Sequence, residues 1–177
     1  GAENYSETLT LDGVASYING SLLTINGNAI LNMYNHVTLQ NNSSSSSSGG
    51  VQVGNHSTFN MHGGTIRKCS SGNNTDGGGI GCSGGTVNIT GGSLCENNAR
   101  FGSAGGAVYM SGGSLNITGG SICKNTASHG GGIYLHNSPN VSIQNCTITD
   151  NNSEGGGGGI YLHDSPNVSI RNCTITD

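Results

Sequence analysis

The chain has 177 residues, of which 33 are Gly, 24 Asn, 24 Ser and 15 Thr, while Ile, Leu, Val and Phe together number 34. That apolar share is too small for an ordinary layered core, and Gly and Asn in these amounts exclude a helical bundle, because both destabilise helix interiors. A formal net charge of −4, from 5 Lys and Arg against 9 Asp and Glu, leaves no basic surface for nucleic acid and falls short of the charge that keeps a disordered chain extended.

No apolar run reaches the roughly 20 residues of a membrane span, so none is expected in this segment. The opening GAENYSETLT lacks a basic start followed by an apolar stretch, so the chain reads as a mature product, an excerpt of a longer protein or a stacking protomer.

Residues 1–20 fit no column of the later pattern and are expected to form an irregular start or cap. AILNMYNHVTLQNN (29–42) is a first, shortened copy of a motif, and NNSSSSSSGG (41–50) is expected to be a flexible Ser-rich loop bulging from the fold. Clear repeats fill 49–177: GGVQVGNHSTFNMHGGTIRKC (49–69), GGGIGCSGGTVNITGGSLCEN (77–97), GGAVYMSGGSLNITGGSICKN (105–125), GGGIYLHNSPNVSIQNCTITD (130–150) and GGGIYLHDSPNVSIRNCTITD (157–177). A repeat length in the twenties marks a solenoid, here treated as one domain over 1–177.

Aligned copies give apolar columns: Ile80, Val108, Ile133, Ile160; then Cys82, Met110, Leu135, Leu162; then Val87, Leu115, Val141, Val168; then Ile89, Ile117, Ile143, Ile170; and last Leu94, Ile122, Ile148, Ile175. Within a copy the spacing is two, so short strands turn alternate residues inward. Three strands per copy, separated by Gly, Asn, Ser and Pro turns, predict one triangular coil, stacked on its neighbours at about 4.8 Å by parallel pairing. The fold class is therefore all-β: a single right-handed parallel β-helix of about six coils, its hand following the crossover preference.

A column of Asn97, Asn125 and Asn151 follows the third strand. It is expected to form a turn ladder, since Asn tolerates left-handed backbone and bonds its equivalents in adjacent coils. GGAV (105–108) and GGGI (77–80, 130–133), paired with LCEN (94–97), ICKN (122–125) and ITDN (148–151), resemble the repeats of polymorphic outer-membrane-protein passengers. The resemblance covers about residues 49–177. It departs from that pattern at the aromatic position, filled by Leu or Ile, and at Cys69, which takes the ladder Asn's place in IRKC. It implies a right-handed parallel β-helix of adhesin or passenger type.

Six cysteines stand at 69, 82, 95, 123, 146 and 173. Cys82 lies in an inward column. Cys95 with Cys123, and Cys146 with Cys173, occupy equivalent positions one coil apart, within the span a disulfide tolerates. No CxxC spacing suggests zinc. Thirteen Asn-x-Ser/Thr sequons occur; the candidate N-glycan carriers are Asn88, Asn116, Asn55, Asn140, Asn167 and Asn19, while Asn145 and Asn172 are expected to be buried. His136 and His163 stack as a pair, but two imidazoles fall short of a full ligand set. Acidic residues are scattered. Asp150 and Asp177 share a column without converging partners, so neither a catalytic site, a metal site nor a cofactor is expected.

These features predict an extracellular or cell-surface, non-catalytic protein: a rigid stalk, or a glycoprotein subunit stacking end to end into a filament. The alternatives are a carbohydrate-binding adhesin facing a host surface and, less directly, a polysaccharide lyase or glycosidase.

Overall fold

The computed structural model describes residues 8–13 and 17–176. The Asn4 sequon, Asp177 and parts of the expected 1–20 cap lie outside the described residues. Among those described there are only strands and turns, and every ladder is parallel. The chain is a β-solenoid of about six coils.

Four sheets run along it. The first is seven-stranded, from Leu9–Asp12 through Val37–Gln40, Thr65–Arg67, Ser93–Cys95, Ser121–Cys123 and Thr147–Thr149 to Thr174–Thr176. The second consists of two-residue strands: Tyr17–Ile18, Ser43–Ser44, Ser70–Ser71, Asn98–Ala99, Thr126–Ala127 and Asn152–Ser153. The third runs Leu23–Ile25, Val51–Val53, Ile80–Ser83, Val108–Ser111, Ile133–His136 and Ile160–His163. The fourth runs Ile30–Met33, Thr58–Met61, Thr86–Ile89, Ser114–Ile117, Asn140–Gln144 and Val168–Arg171.

The second sheet corrects the three-strand coil. Its inward residues are small (Ser44, Ser71, Ala99 and Ala127, all buried), so no aliphatic column betrays it. The serine run is corrected likewise. Ser43–Ser44 pairs with Tyr17–Ile18 and with Ser70, and Ser44 Oγ accepts the Ser47 N–H at 3.0 Å. Ser48, also buried, donates to Gln52 Oε1 at 2.8 Å. Serine hydroxyls thus tie this corner together where no aliphatic side chain stands. At the start of the chain, Leu9–Asp12 pairs in register with Val37–Gln40.

The predicted columns form the core. Ile80, Cys82, Val87, Ile89, Leu94 and their equivalents through Ile148 are buried, joined by Phe59, Met61 and Ile66. Each fully buried aliphatic side chain contributes about 1.5–3 kcal/mol, and stacking like on like shares that gain between coils.

Glycine governs the corner before the third sheet. Gly77, Gly105, Gly130 and Gly157 have φ of 82°, 70°, 60° and 62°, a region costly for L side chains. The following Gly106 lies so close to the next coil that a Cβ would strike the Gly131 carbonyl. The repeated GG thus answers a steric demand.

Candidate functional site

The third sheet's outward column reads Gln52, Gly81, Tyr109, Tyr134, Tyr161 in register. Parallel in-register pairing superimposes equivalent side chains, so the tyrosines stack: ring centroids lie 5.5 Å apart for Tyr109–Tyr134 and 5.2 Å for Tyr134–Tyr161, with interplanar angles of 15° and 4°. Gly81 ends the column. Beside Tyr109, where a further side chain would stand, a groove of about 410 Å³ opens, lined chiefly by Ser48, Gln52, Thr75, Asp76, Ser83, Tyr109 and Ser111.

Asp76 is the groove's acid. The Ala104 N–H donates to its Oδ1 at 2.7 Å. Burial lifts its carboxyl above the usual 3.8, while that bond, the nearby Tyr109 hydroxyl and His136 pull the other way. Burial, reinforced by the Asp76 charge, pushes the Tyr109 phenol up to about 12. The hydroxyl therefore stays protonated at any physiological pH. The groove presents hydroxyl donors and acceptors, one amide and one carboxylate, a set suited to a polyhydroxylated, uncharged ligand.

A second hollow, of about 420 Å³, is bordered by Asn73, Asn98, Arg100, Thr126, Glu154 and Phe101. The Phe101 ring is 78% exposed.

The turn ladder forms as a buried hydrogen-bond chain. Asn97 Nδ2 donates to Asn125 Oδ1 at 3.0 Å and Asn125 Nδ2 to Asn151 Oδ1 at 2.9 Å. The same oxygens accept the backbone N–H of Asn97 and Asn125. The left-handed residue, however, is the one before each ladder position: Glu96, Lys124 and Asp150 have φ of 58°, 56° and 55°. The asparagine side chain serves the interior, and its neighbour takes the turn. At Cys69 only the backbone N–H reaches Asn97 Oδ1, at 3.1 Å.

A second, external ladder had not been expected. Asn60 Nδ2 donates to Asn32 Oδ1 at 2.8 Å, Asn88 Nδ2 to Asn60 Oδ1 at 2.8 Å, and Asn116 Nδ2 to Asn88 Oδ1 at 2.9 Å. Its signal was in the sequence as Asn at one outward position of four successive fourth-sheet strands. Of the sequon candidates, Asn116, Asn55, Asn140, Asn167 and Asn19 are exposed, whereas Asn88 is half-buried within this ladder. Asn145 and Asn172 are exposed at left-handed turns with φ of 54° and 52°, correcting their expected burial.

All six cysteines are free thiols. Cys95 and Cys123 are register partners, half-buried. Cys146 Sγ lies 3.3 Å from Cys173 Sγ. Burial pushes the Cys69 and Cys82 thiols to about 11. Asp150, on an exposed turn, is remote in character from Asp76, which sits in the segment linking two copies and which the aligned columns did not single out. Among the described residues, one group of three side chains suits a metal ion: His136, His163 and Asp164.

A family model for the right-handed beta helix region matches residues 82–177, more than half of the chain. No curated protein and no solved structure matches it.

Proposed function

Because the chain belongs to the right-handed β-helix family, we propose that it works as a rigid, non-catalytic segment of an extracellular or cell-surface protein, a stalk or a filament-forming glycoprotein subunit. One observation carries this reading. The coils pair without a break, and the last one leaves Leu162, Ile170 and Ile175 at 48%, 42% and 44% exposure, beside unpaired strand edges that invite another coil. A second copy stacked end to end would cover them with a further coil. The exposed sequons at Asn55, Asn116, Asn140 and Asn167 support a glycan-bearing lateral surface, and the resemblance to polymorphic outer-membrane-protein passengers supports a surface setting.

Sedimentation velocity and electron microscopy of the full chain test the stacking. Rods should lengthen with concentration in steps of about 29 Å, six coils at about 4.8 Å each, and Ile175→Lys should abolish growth. A monomer mass independent of concentration refutes self-association. Peptide mapping of native material tests the glycans; bare asparagines throughout would leave the lateral faces open.

The adhesin reading is favoured by the Asp76–Tyr109 groove. It requires that a glycan array retain the chain and that Tyr109→Ala release it. Turnover of any polysaccharide, lost in Asp76→Asn, would replace both readings with an enzyme.

A further inference from the structure

The structure assigns a binding site for a borderline divalent transition-metal ion, of the Zn²⁺ type, to His136, His163 and Asp164. His136 and His163 are register partners on adjacent third-sheet strands, and their rings stack at 5.0 Å and 16°. His163 Nε2 lies 3.4 Å from Asp164 Oδ2. One ligand atom from each residue falls within 4.8 Å of the others. All three side chains are half-buried or exposed, so small side-chain rotations close the set around one ion.

The surroundings prepare the ligand atoms. The Tyr134 hydroxyl lies 3.2 Å from His163 Nδ1; accepting a proton bond there, it leaves Nε2 with its lone pair towards Asp164. The Asn137 amide N–H donates to His136 Nε2 at 3.0 Å, so that nitrogen bears a lone pair, and an ion bound there displaces the exposed amide. A partner on the opposite ring nitrogen, as Tyr134 is for His163, orients a metal-binding imidazole. Two imidazole nitrogens and one carboxylate oxygen suit zinc, whereas calcium and magnesium call for more oxygen ligands. Water completes the shell.

Repetition alone does not account for the set. In the same column the preceding coils carry Ser83 and Ser111. The copies at 130–150 and 157–177 differ at two positions, Asn137 against Asp164 and Gln144 against Arg171. The first of these places a carboxylate beside the paired imidazoles.

The test uses the full chain, reduced and without an affinity tag, titrated with ZnCl₂ by calorimetry and with CoCl₂ by visible absorption. One Zn²⁺ per chain should bind. His136→Ala and His163→Ala should each weaken it by at least about tenfold, and Tyr134→Phe by about tenfold at unchanged stoichiometry. Asp164→Asn should weaken it, while His62→Ala, on the fourth-sheet side, should leave it unchanged. Since the altered side chains lie at the surface, circular dichroism should be unaltered. Absence of binding at millimolar Zn²⁺, binding that survives both histidine substitutions, or a thiolate-to-cobalt charge-transfer band would each overturn the assignment.

Discussion

Asn125→Ala tests the idea that the buried ladder, as much as the aliphatic core, holds the coils together. Asn125 is fully buried and its side chain makes four hydrogen bonds. Oδ1 accepts the Asn97 N–H at 2.9 Å and Asn97 Nδ2 at 3.0 Å; Nδ2 donates to the Leu94 carbonyl at 3.0 Å and to Asn151 Oδ1 at 2.9 Å. At about 1 kcal/mol net for each bond, the loss is about 4 kcal/mol, a large part of the roughly 5–15 kcal/mol that holds a domain folded. Asn116→Ala is the control: it removes the exposed bond to Asn88 at 2.9 Å, and its cost should stay below about 1 kcal/mol. Urea unfolding followed by circular dichroism measures both. Because a solenoid can unfold coil by coil, amide exchange should also show protection lost first around residues 94–151 in Asn125→Ala. If the two variants unfold at the same urea concentration, the ladder is decorative and the reasoning fails.

Three further outcomes follow from local geometry. Lys124 is exposed at φ 56°, so Lys124→Gly should stabilise the fold by about 0.5–1 kcal/mol; a lowered unfolding midpoint would contradict the strain argument. Burial holds the Cys69 and Cys82 thiols near 11 and raises Cys146, which also faces Cys173. Cys95, Cys123 and Cys173 are only half-buried. Alkylation of the native, reduced chain at pH 8 should therefore mark them before Cys69, Cys82 and Cys146, with Cys95, whose thiol burial also raises, the slowest of the half-buried set, as mass spectrometry would show; early labelling of Cys82 would refute its inward placement. Asp76 has a folded-state pKa above its ordinary 3.8. Its contribution to stability is thus fully present below that value and is lost as pH rises through the raised one. Asp76→Asn, which keeps an acceptor for the Ala104 N–H, should flatten the dependence of melting temperature on pH in that window, and an unchanged profile would count against a half-buried, titrating carboxyl.

The aliphatic columns were legible because a period of two in near-identical copies leaves one solution for which residues face inward. Leu94, Ile122 and Ile148 could hardly be placed otherwise. The two-residue second sheet was not legible, since Ser71, Ala99 and Ala127 carry no apolar signal and are buried by position alone. Composition also misdirected one assignment: asparagine's tolerance of left-handed backbone pointed to Asn97 and Asn125, but their amides are committed to interior bonds, so Glu96 and Lys124 absorb the turn. The groove stayed hidden for a different reason. Asp76 lies between copies, and Gly81 matters through the side chain it lacks.

That last point bears on how a stacked repeat acquires function. In-register pairing makes each lateral face a set of uniform ladders, in which tyrosine covers tyrosine and asparagine satisfies asparagine. A uniform ladder satisfies itself and offers a ligand little. Chemistry becomes available where a column is interrupted: Gly81 breaks the tyrosine stack and opens the groove beside Asp76, and Asp164 replaces the Asn of the preceding copy beside the histidine pair. Cys69 interrupts the buried ladder instead, where the same departure from the repeat yields an interior thiol rather than a site. On a β-helix of this kind, the residues that break the repeat outward are where binding is to be sought, and those that keep it are where stability resides.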